Sequence, residues 1–181
     1  MKPAGLVFLF SIFLYLISLT SCENDIKVVN NFNVKDTLPV ESAKNVEMIY
    51  SDSGKIQFKL TSPQLNRYKT EDPYNEFPKG LTIIAYDSLM RVKTSMRANY
   101  AIMWINKNLM EAKNDVVIVS KDETINTEHI VYDKRRRVIF SEVFVKRTNK
   151  DGVMYGDGFD ADETFNKYTI RNPRGTFMVQ Q

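Results

Sequence analysis

The alternation of apolar and polar residues is clearest between Asn126 and Phe159. Three short runs rich in β-branched and aromatic residues, Ile130–Tyr132, Val138–Phe140 and Val143–Val145, are separated by charged or turn-forming residues. Asp133–Arg137 separates the first two runs, and Asn149–Gly152, after the third, ends in Asp-Gly, a strong short-range hairpin signal. Each run is too short for a good helix, and its bulky residues suit a pleated surface. Upstream, Asp52-Ser53-Gly54 reads as a turn, after which Ile56, Phe58 and Leu60 alternate with Gln57, Lys59 and Thr61. That phase predicts a strand with one buried face, ended by Ser62-Pro63. Tyr68–Gly80 holds Pro73 and Pro78 and reads as an irregular loop. Leu81–Tyr86, Val92–Ala98, Tyr100–Ile105 and Val116–Val119 read as further strands. Ala98–Ala112 could pass for a helix, but its apolar spacing is not sustained at 3.6 residues. Tyr168–Ile170 and Thr176–Val179 are short apolar runs on either side of Asn172-Pro173-Arg174-Gly175. The pattern predicts an all-β chain of consecutive antiparallel strands.

A weak internal repeat points to one architecture. Ser95, Ala98 and Tyr100 recur as Thr127, Ile130 and Tyr132, and Thr127, Ile130 and Asp133 recur as Gly156, Phe159 and Asp162. Self-similarity of this kind marks stacked supersecondary units. Each unit would be a bent pair of β-segments. Stacking them folds two facing sheets around an elongated apolar interior, an antiparallel jelly-roll or half-pipe over residues 47–181.

Residues 1–21 read as a signal peptide rather than as part of the fold. Lys2 supplies a short positive start and Leu6–Leu19 carries no charge. That run is shorter than the roughly 20 residues a membrane span requires. Leu19-Thr20-Ser21-Cys22 then resembles a lipobox, in which the Cys22 thiol receives the diacylglyceryl group. Cys22 is the one cysteine of the chain, so an intramolecular disulfide is excluded. Residues 22–46 are poor in large apolar side chains and read as a tether, with a short strand at Ile26–Val29. The expectation is a lipoprotein held at a membrane by its acyl chains, each buried methylene contributing about 0.8 kcal/mol.

Composition narrows the chemistry. Of 181 residues, 43% are hydrophobic and 26% charged, an ordinary globular balance, and a formal charge of +3 gives no reason to expect nucleic acid. One histidine and one cysteine leave no CxxC or HExxH spacing, so no metal, cofactor or catalytic centre is expected. His129, between Glu128 and Ile130, reads as a solvated or cross-strand residue. Gly156-Asp157-Gly158 lacks the lysine and helix of a phosphate loop and reads as strand-bending glycine. The Lys134, Arg135, Arg136 and Arg137 run is either a solvated hairpin end or a contact for phosphate or acidic groups.

Phase arguments pick out the interior. Glu142 and Lys146 place Val143 and Val145 inward, and Asn114 opens a strand with Val116 and Ile118 inward, although Val117 and Val119 blur the assignment. Ile56, Phe58 and Leu60 form a third set. On the residues alone, each set fits a closed packed core or an open groove.

The order of several segments resembles the LptC family in its lipoprotein version, the periplasmic component of the lipopolysaccharide-export ABC transporter. The segments are Tyr50-Ser51-Asp52-Ser53-Gly54, Ser62-Pro63-x-Leu65-x-Arg67-Tyr68 and Pro73-Tyr74-x-Glu76-Phe77-Pro78-x-Gly80. They continue with Thr127-Glu128-x-x-x-Tyr132-Asp133, Tyr155-Gly156-x-Gly158-Phe159-x-Ala161-Asp162 and Asn172-Pro173-x-Gly175. The resemblance implies a β-jelly-roll whose open groove takes lipopolysaccharide acyl chains, with Ile56, Phe58, Leu60, Val116, Ile118, Val143 and Val145 as its wall. It implies lipid A phosphates, or acidic partner residues, for Lys134–Arg137. It also implies edge-strand pairing with a periplasmic bridge jelly-roll and contact with the inner-membrane ABC transporter, whose ATPase supplies the energy. The familiar family form has an N-terminal transmembrane helix, whereas this chain ends its leader at Cys22. The anchor is expected in the inner rather than the outer membrane. The other readings of the sequence are an envelope lipoprotein hydrolase acting on glycans and a purely structural envelope lipoprotein.

Overall fold

A computed structural model of the chain describes residues 38–165 and 167–177, and every helix or strand element among them is a strand. In chain order these are β1 (Glu41–Asp52), β2 (Lys55–Tyr68), β3 (Tyr74–Phe77), β4 (Leu81–Tyr86), β5 (Val92–Ala98), β6 (Tyr100–Trp104) and β7 (Leu109–Ser120). They continue as β8 (Glu123–Asp133), β9 (Val138–Ser141), β10 (Val145–Asn149), β11 (Gly152–Gly156), β12 (Phe159–Asp162), β13 (Tyr168–Ile170) and β14 (Arg174–Phe177). All pairings are antiparallel. The all-β reading holds.

The pairings sort into two rows that share their longest strands. The first row runs β1–β2–β4–β5–β7–β8–β10–β11–β14. The second runs β1–β2–β3–β6–β7–β8–β9–β12–β13. β1, β2, β7 and β8 cross from one row to the other. The remaining strands come in successive pairs, such as β3 then β4, that do the same with a break between them. The molecule is therefore one meander of bent strands, creased along its middle. This is the half-pipe of paired β-segments that the repeat predicts.

Local chemistry sets the crease. Pro63 of β2 has no N–H to give to a ladder, and its opposite residue, Asn45, sits at φ 52 outside the paired register. Asn114 and Asp115 of β7 also take left-handed conformations, φ 63 and 54, and the β7–β8 register shifts there. Asparagine and aspartate tolerate that region better than most residues. Gly80, at φ 76, lies against the backbone of Ala98 and Asn99, where a Cβ would collide with the Ala98 carbonyl. The Asn99 N–H donates to the Asn114 carbonyl at 3.0 Å and the Arg171 N–H to the Gly158 carbonyl at 2.9 Å, so neighbouring bends are bonded to each other.

The rows face one another across a shared core. Leu60, Leu81, Val116, Ile118, Ile125 and Val145 come from the first row, and Leu65, Phe77, Ile130, Phe159 and Ile170 from the second, all in one buried cluster. Full burial of a side chain of this size is worth about 1.5–3 kcal/mol. Two rows of alternating strands can bury one face each only by closing on each other.

Several sequence expectations are corrected. β2 does not end at Ser62-Pro63 but continues to Tyr68, because the proline falls at the crease, where neither β3 nor β4 pairs with it. The Tyr68–Gly80 loop contains β3, held between β2 and β6. β7 begins at Leu109 rather than Val116, and Asn114-Asp115 is its bulge rather than its start. β1 begins at Glu41, inside the expected tether, and pairs with β2 from its first residue, where Arg67 meets Glu41 at 2.5 Å. Cys22, Ile26–Val29 and the end of Thr176–Val179 lie outside the described residues.

The crease makes a comparison of two glycines informative. Gly54 also sits at φ 76, but nothing lies within 4 Å of its added Cβ. Gly54→Ala should cost only its left-handed backbone, about 1 kcal/mol. Gly80→Ala should cost about 3 kcal/mol or more, because strain and a backbone collision add. Urea denaturation midpoints of the two variants check this. Equal losses would contradict the crease assignment.

Candidate functional site

Cross-strand register arranges the inward side chains in layers parallel to the crease. The deepest layer of the first row runs through Val116, Thr127, Val145 and Gly156. The next runs Met48, Leu60, Ile83, Met96, Ile118, Ile125, Arg147 and Met154. In the second row, Phe77, Ala101, Ala112 and Ile130 lie deep. Met103, Met110, Tyr132, Ile139, Ala161 and Tyr168 form the layer above them.

This layering divides the residues expected to form a groove. Leu60, Val116, Ile118 and Val145 are inward, as their phase requires, but they are closed core, with Val116 and Val145 at 0% exposure. Ile56 is half-buried, and Phe58 is 38% exposed at the far end of β2, its ring stacked on Tyr50 at 5.0 Å. Val143 is not inward. It lies 38% exposed on the bend between β9 and β10, because the chain turns over 142–144 and breaks the alternation on which its phase rested.

The apolar surface between bottom and rim consists of residues that the phase argument passed over. Met48, Ile83, Met96, Met103, Met110, Ile139 and Met154 are half-buried and pack against the core. Methionine is unbranched and polarisable and fits irregular apolar partners without directional bonds. Its signal was present in the sequence. Met96 shares the inward phase of Ala98, and Met103 and Met110 sit opposite each other on β6 and β7.

Polar groups enter the same interior near its C-terminal edge. Glu123 of β8 accepts from Arg147 Nε of β10 at 2.8 Å and from the Tyr168 hydroxyl of β13 at 2.7 Å. The Arg147 guanidinium carbon stands 5.9 Å from the centre of the Tyr168 ring. Nearby, Tyr132 donates to Glu163 at 3.0 Å, and Arg137 also binds Glu163. The Arg137 hydrogen bond holds the Glu163 carboxyl below its usual range. Burial, then a hydrogen bond to a carboxylate, pushes three tyrosines up to about 12: Tyr168 on Glu123, Tyr132 on Glu163 and Tyr100 on Glu76.

Lys134–Arg137 forms the turn between β8 and β9. Asp133 Oδ1 accepts the backbone N–H groups of Arg135 and Arg136, both at 3.0 Å, and fixes the turn. Arg135 donates to the Asn106 carbonyl at 2.8 Å in the neighbouring β6–β7 turn, and Arg137 is spent on Glu163. Lys134 and Arg136 remain as exposed charges on the rim. His129 stands 3.3 Å from Glu111 on the adjacent strand, a cross-strand contact. Gly156 and Gly158 lie at the crease, pressed against Ile170, Arg171 and the Ser141 carbonyl. No group of His, Cys, Asp and Glu suited to a metal ion occurs among the described residues. A separate depression of about 530 Å³ near Asn45, Lys79 and Asn99 includes Thr61, Thr82 and Arg97, whose phase is opposite to the methionine layer.

Bent sheets facing each other over a soft apolar layer have the form of a carrier for a long apolar ligand. The family model described as "Lipopolysaccharide-assembly, LptC-related" matches residues 4–175, and the chain belongs to that family. It is a non-enzymatic, periplasmic component of lipopolysaccharide transport. Among solved structures, the chain is similar to the crystal structure of LptH, the LptA-homologous periplasmic component of the lipopolysaccharide transport device of Pseudomonas aeruginosa. The TM-score is 0.40 at 10% identity, covering 81% of this chain and 98% of that one. No curated protein matches the sequence.

The raised tyrosines give stability a pH dependence. Unfolded, each loses its proton near its ordinary value of 10.0, and folded, near about 12. Between those values the folded state holds more protons, so stability should be level below pH 10 and fall from there to about pH 12. Urea midpoints measured across that interval check this, and Tyr132→Phe with Tyr168→Phe should flatten the fall. A wild-type midpoint that stays level would contradict it.

Proposed function

We propose that this half-pipe receives lipopolysaccharide from the inner-membrane export ABC transporter and passes it to a periplasmic bridge jelly-roll. The observation that carries this reading is the half-buried layer from Met48 to Met154, which reaches from β1 at one edge of the meander to β11 beside the other. Acyl chains leaving a membrane must stay out of water, and each exposed methylene costs about 0.8 kcal/mol. A wall of thioethers and methyl groups provides that shelter with no hydrogen bond to break as the lipid advances. Val116 and Val145 support this wall from below, and Leu60 and Ile118, in the same cross-strand layer as Met48 and Met96, are buried among its members. Ile56 and Phe58 lie at its rim. Lys134 and Arg136, exposed on the turn between β8 and β9, would meet lipid A phosphates.

The two edges supply the partners. Among the described residues, β1 presents a 12-residue edge, and β14 with β13 ends the rows at the other side. Unpaired strand edges accept a further strand, so the C-terminal edge suits the next jelly-roll and the β1 edge the transporter side. A diacylglyceryl group on Cys22 would hold the domain to the inner membrane in place of a transmembrane helix.

Crosslinking tests the groove. A photoreactive residue in place of Met103 or Met110 should capture lipopolysaccharide in cells, while one at Lys146 or Thr82, of opposite phase, should not. Equal capture from both faces, or none from either in a folded protein, would contradict the reading. The anchor has its own test. Mass spectrometry of the native N-terminal peptide should show it beginning at an acylated Cys22. Retention of residues 1–21, or an unmodified Cys22, would remove the lipoprotein assignment.

A further inference from the structure

The interior of the half-pipe is not uniform along its length. From β1 to β8 its accessible layer is made of Met48, Ile83, Met96, Met103 and Met110. Beyond β8 the inward ladder reaches Arg147, directly opposite Ile125 on one side and Met154 on the other. Glu123 lies one inward step further from the crease on β8. Both charged side chains are only 20% exposed. Tyr168 belongs to β13, the last strand of the opposite row. Its hydroxyl reaches Glu123 at 2.7 Å, so the contact joins the two rows across the interior, away from the bonded bends of the crease.

We propose that Glu123, Arg147 and Tyr168 form a latch that closes the half-pipe at its C-terminal edge and must open for an acyl chain to leave. The proposal rests on the groove reading above. An acyl chain moving along the methionine layer toward β14 meets this cluster before it reaches Met154. The latch sets a charged pair into a path that Met48, Ile83, Met96, Met103 and Met110 otherwise make apolar. An apolar plug of the same volume would hold the rows together without the cost of desolvating two ions. The hydrogen bonds of the charged cluster are strong while dry and weaken once water enters. An arriving anionic headgroup also offers Arg147 a second acceptor in place of Glu123. The latch therefore holds when the pipe is empty and is weakened by the cargo itself.

The test uses the full mature chain and purified lipopolysaccharide, with a photoreactive residue in place of Met103 in one preparation and of Met154 in another. In the wild-type background, capture should be strong at position 103 and weak at position 154. Tyr168→Phe keeps the ring and removes the cross-row hydrogen bond. It should raise capture at 154 by about ten-fold, the factor that one hydrogen bond to a charged group is worth, and leave capture at 103 unchanged. Glu123→Gln, which weakens the same bond through the other partner, should act in the same direction, and urea midpoints establish that both variants are folded. Strong capture at 154 in the wild type would overturn the latch. So would unchanged capture at 154 in both variants while 103 still labels, since that result describes a clamp that serves stability alone. Absence of capture at 103 in every background would overturn the groove reading and the latch with it.

Discussion

The backbone pairing of the crease is the constraint on which the rest depends. A long antiparallel meander buries one face only if it folds over, and folding it over requires every strand to bend at the same level. This chain meets that requirement by different local means. Pro63 opposite Asn45, Gly80 against Ala98, Asn114-Asp115, the bend at 142–144 and Gly158 are all breaks in the ladder, and they line up because the register holds on both sides of them. Backbone groups released at one bend are taken up by the next, as Asn99 does with Asn114. Without the alignment, Phe77 and Phe159, both fully buried, would not meet in one core.

The same crease sets what the interior can do. Side chains nearest to it are packed from both rows and exclude everything else. One step out the layer is mixed: Leu60, Ile118 and Ile125 are buried, while Met48, Ile83, Met96, Met103 and Met110 are half-buried against the core. The proposed binding surface is the half-buried part of that layer. The polar cluster of Glu123, Arg147 and Tyr168 occupies that layer near one end and bridges the gap with hydrogen bonds.

Much of the fold was legible in the sequence because its strands alternate cleanly. Leu81–Tyr86 and Val92–Ala98 have in β4 and β5 the bounds that the sequence predicts, the Asp133–Arg137 turn connects the strands expected on either side, and the Asp-Gly hairpin signal joins β10 to β11. β3 was hidden because it is short, lies between prolines, and owes its strand state to β2 and β6, which are distant in sequence. Pro63 reads as a terminator in the sequence because a proline inside a strand is tolerated only where pairing lapses, and the lapse is a tertiary feature. The site was less legible than the fold. Inward phase located Leu60, Val116, Ile118 and Val145 correctly, yet phase does not measure depth, and depth separates core from wall. Val143 failed for a second reason, since its phase assumed an unbroken strand through the crease. The methionines stand out little in the sequence because strand patterns are weighted toward β-branched and aromatic residues.

The central claim is that the half-buried methionine wall, rather than the buried core or the outer face, is what touches lipid. The most direct measurement is NMR of the folded domain with labelled methionine and valine methyl groups, titrated with lipopolysaccharide. Met48, Met96, Met103 and Met110 should shift, with intermolecular contacts to acyl-chain protons, while the outward-phased Val117 and Val119 stay in place. Contacts from acyl chains to Val117 and Val119 with the methionine signals unmoved would contradict the account.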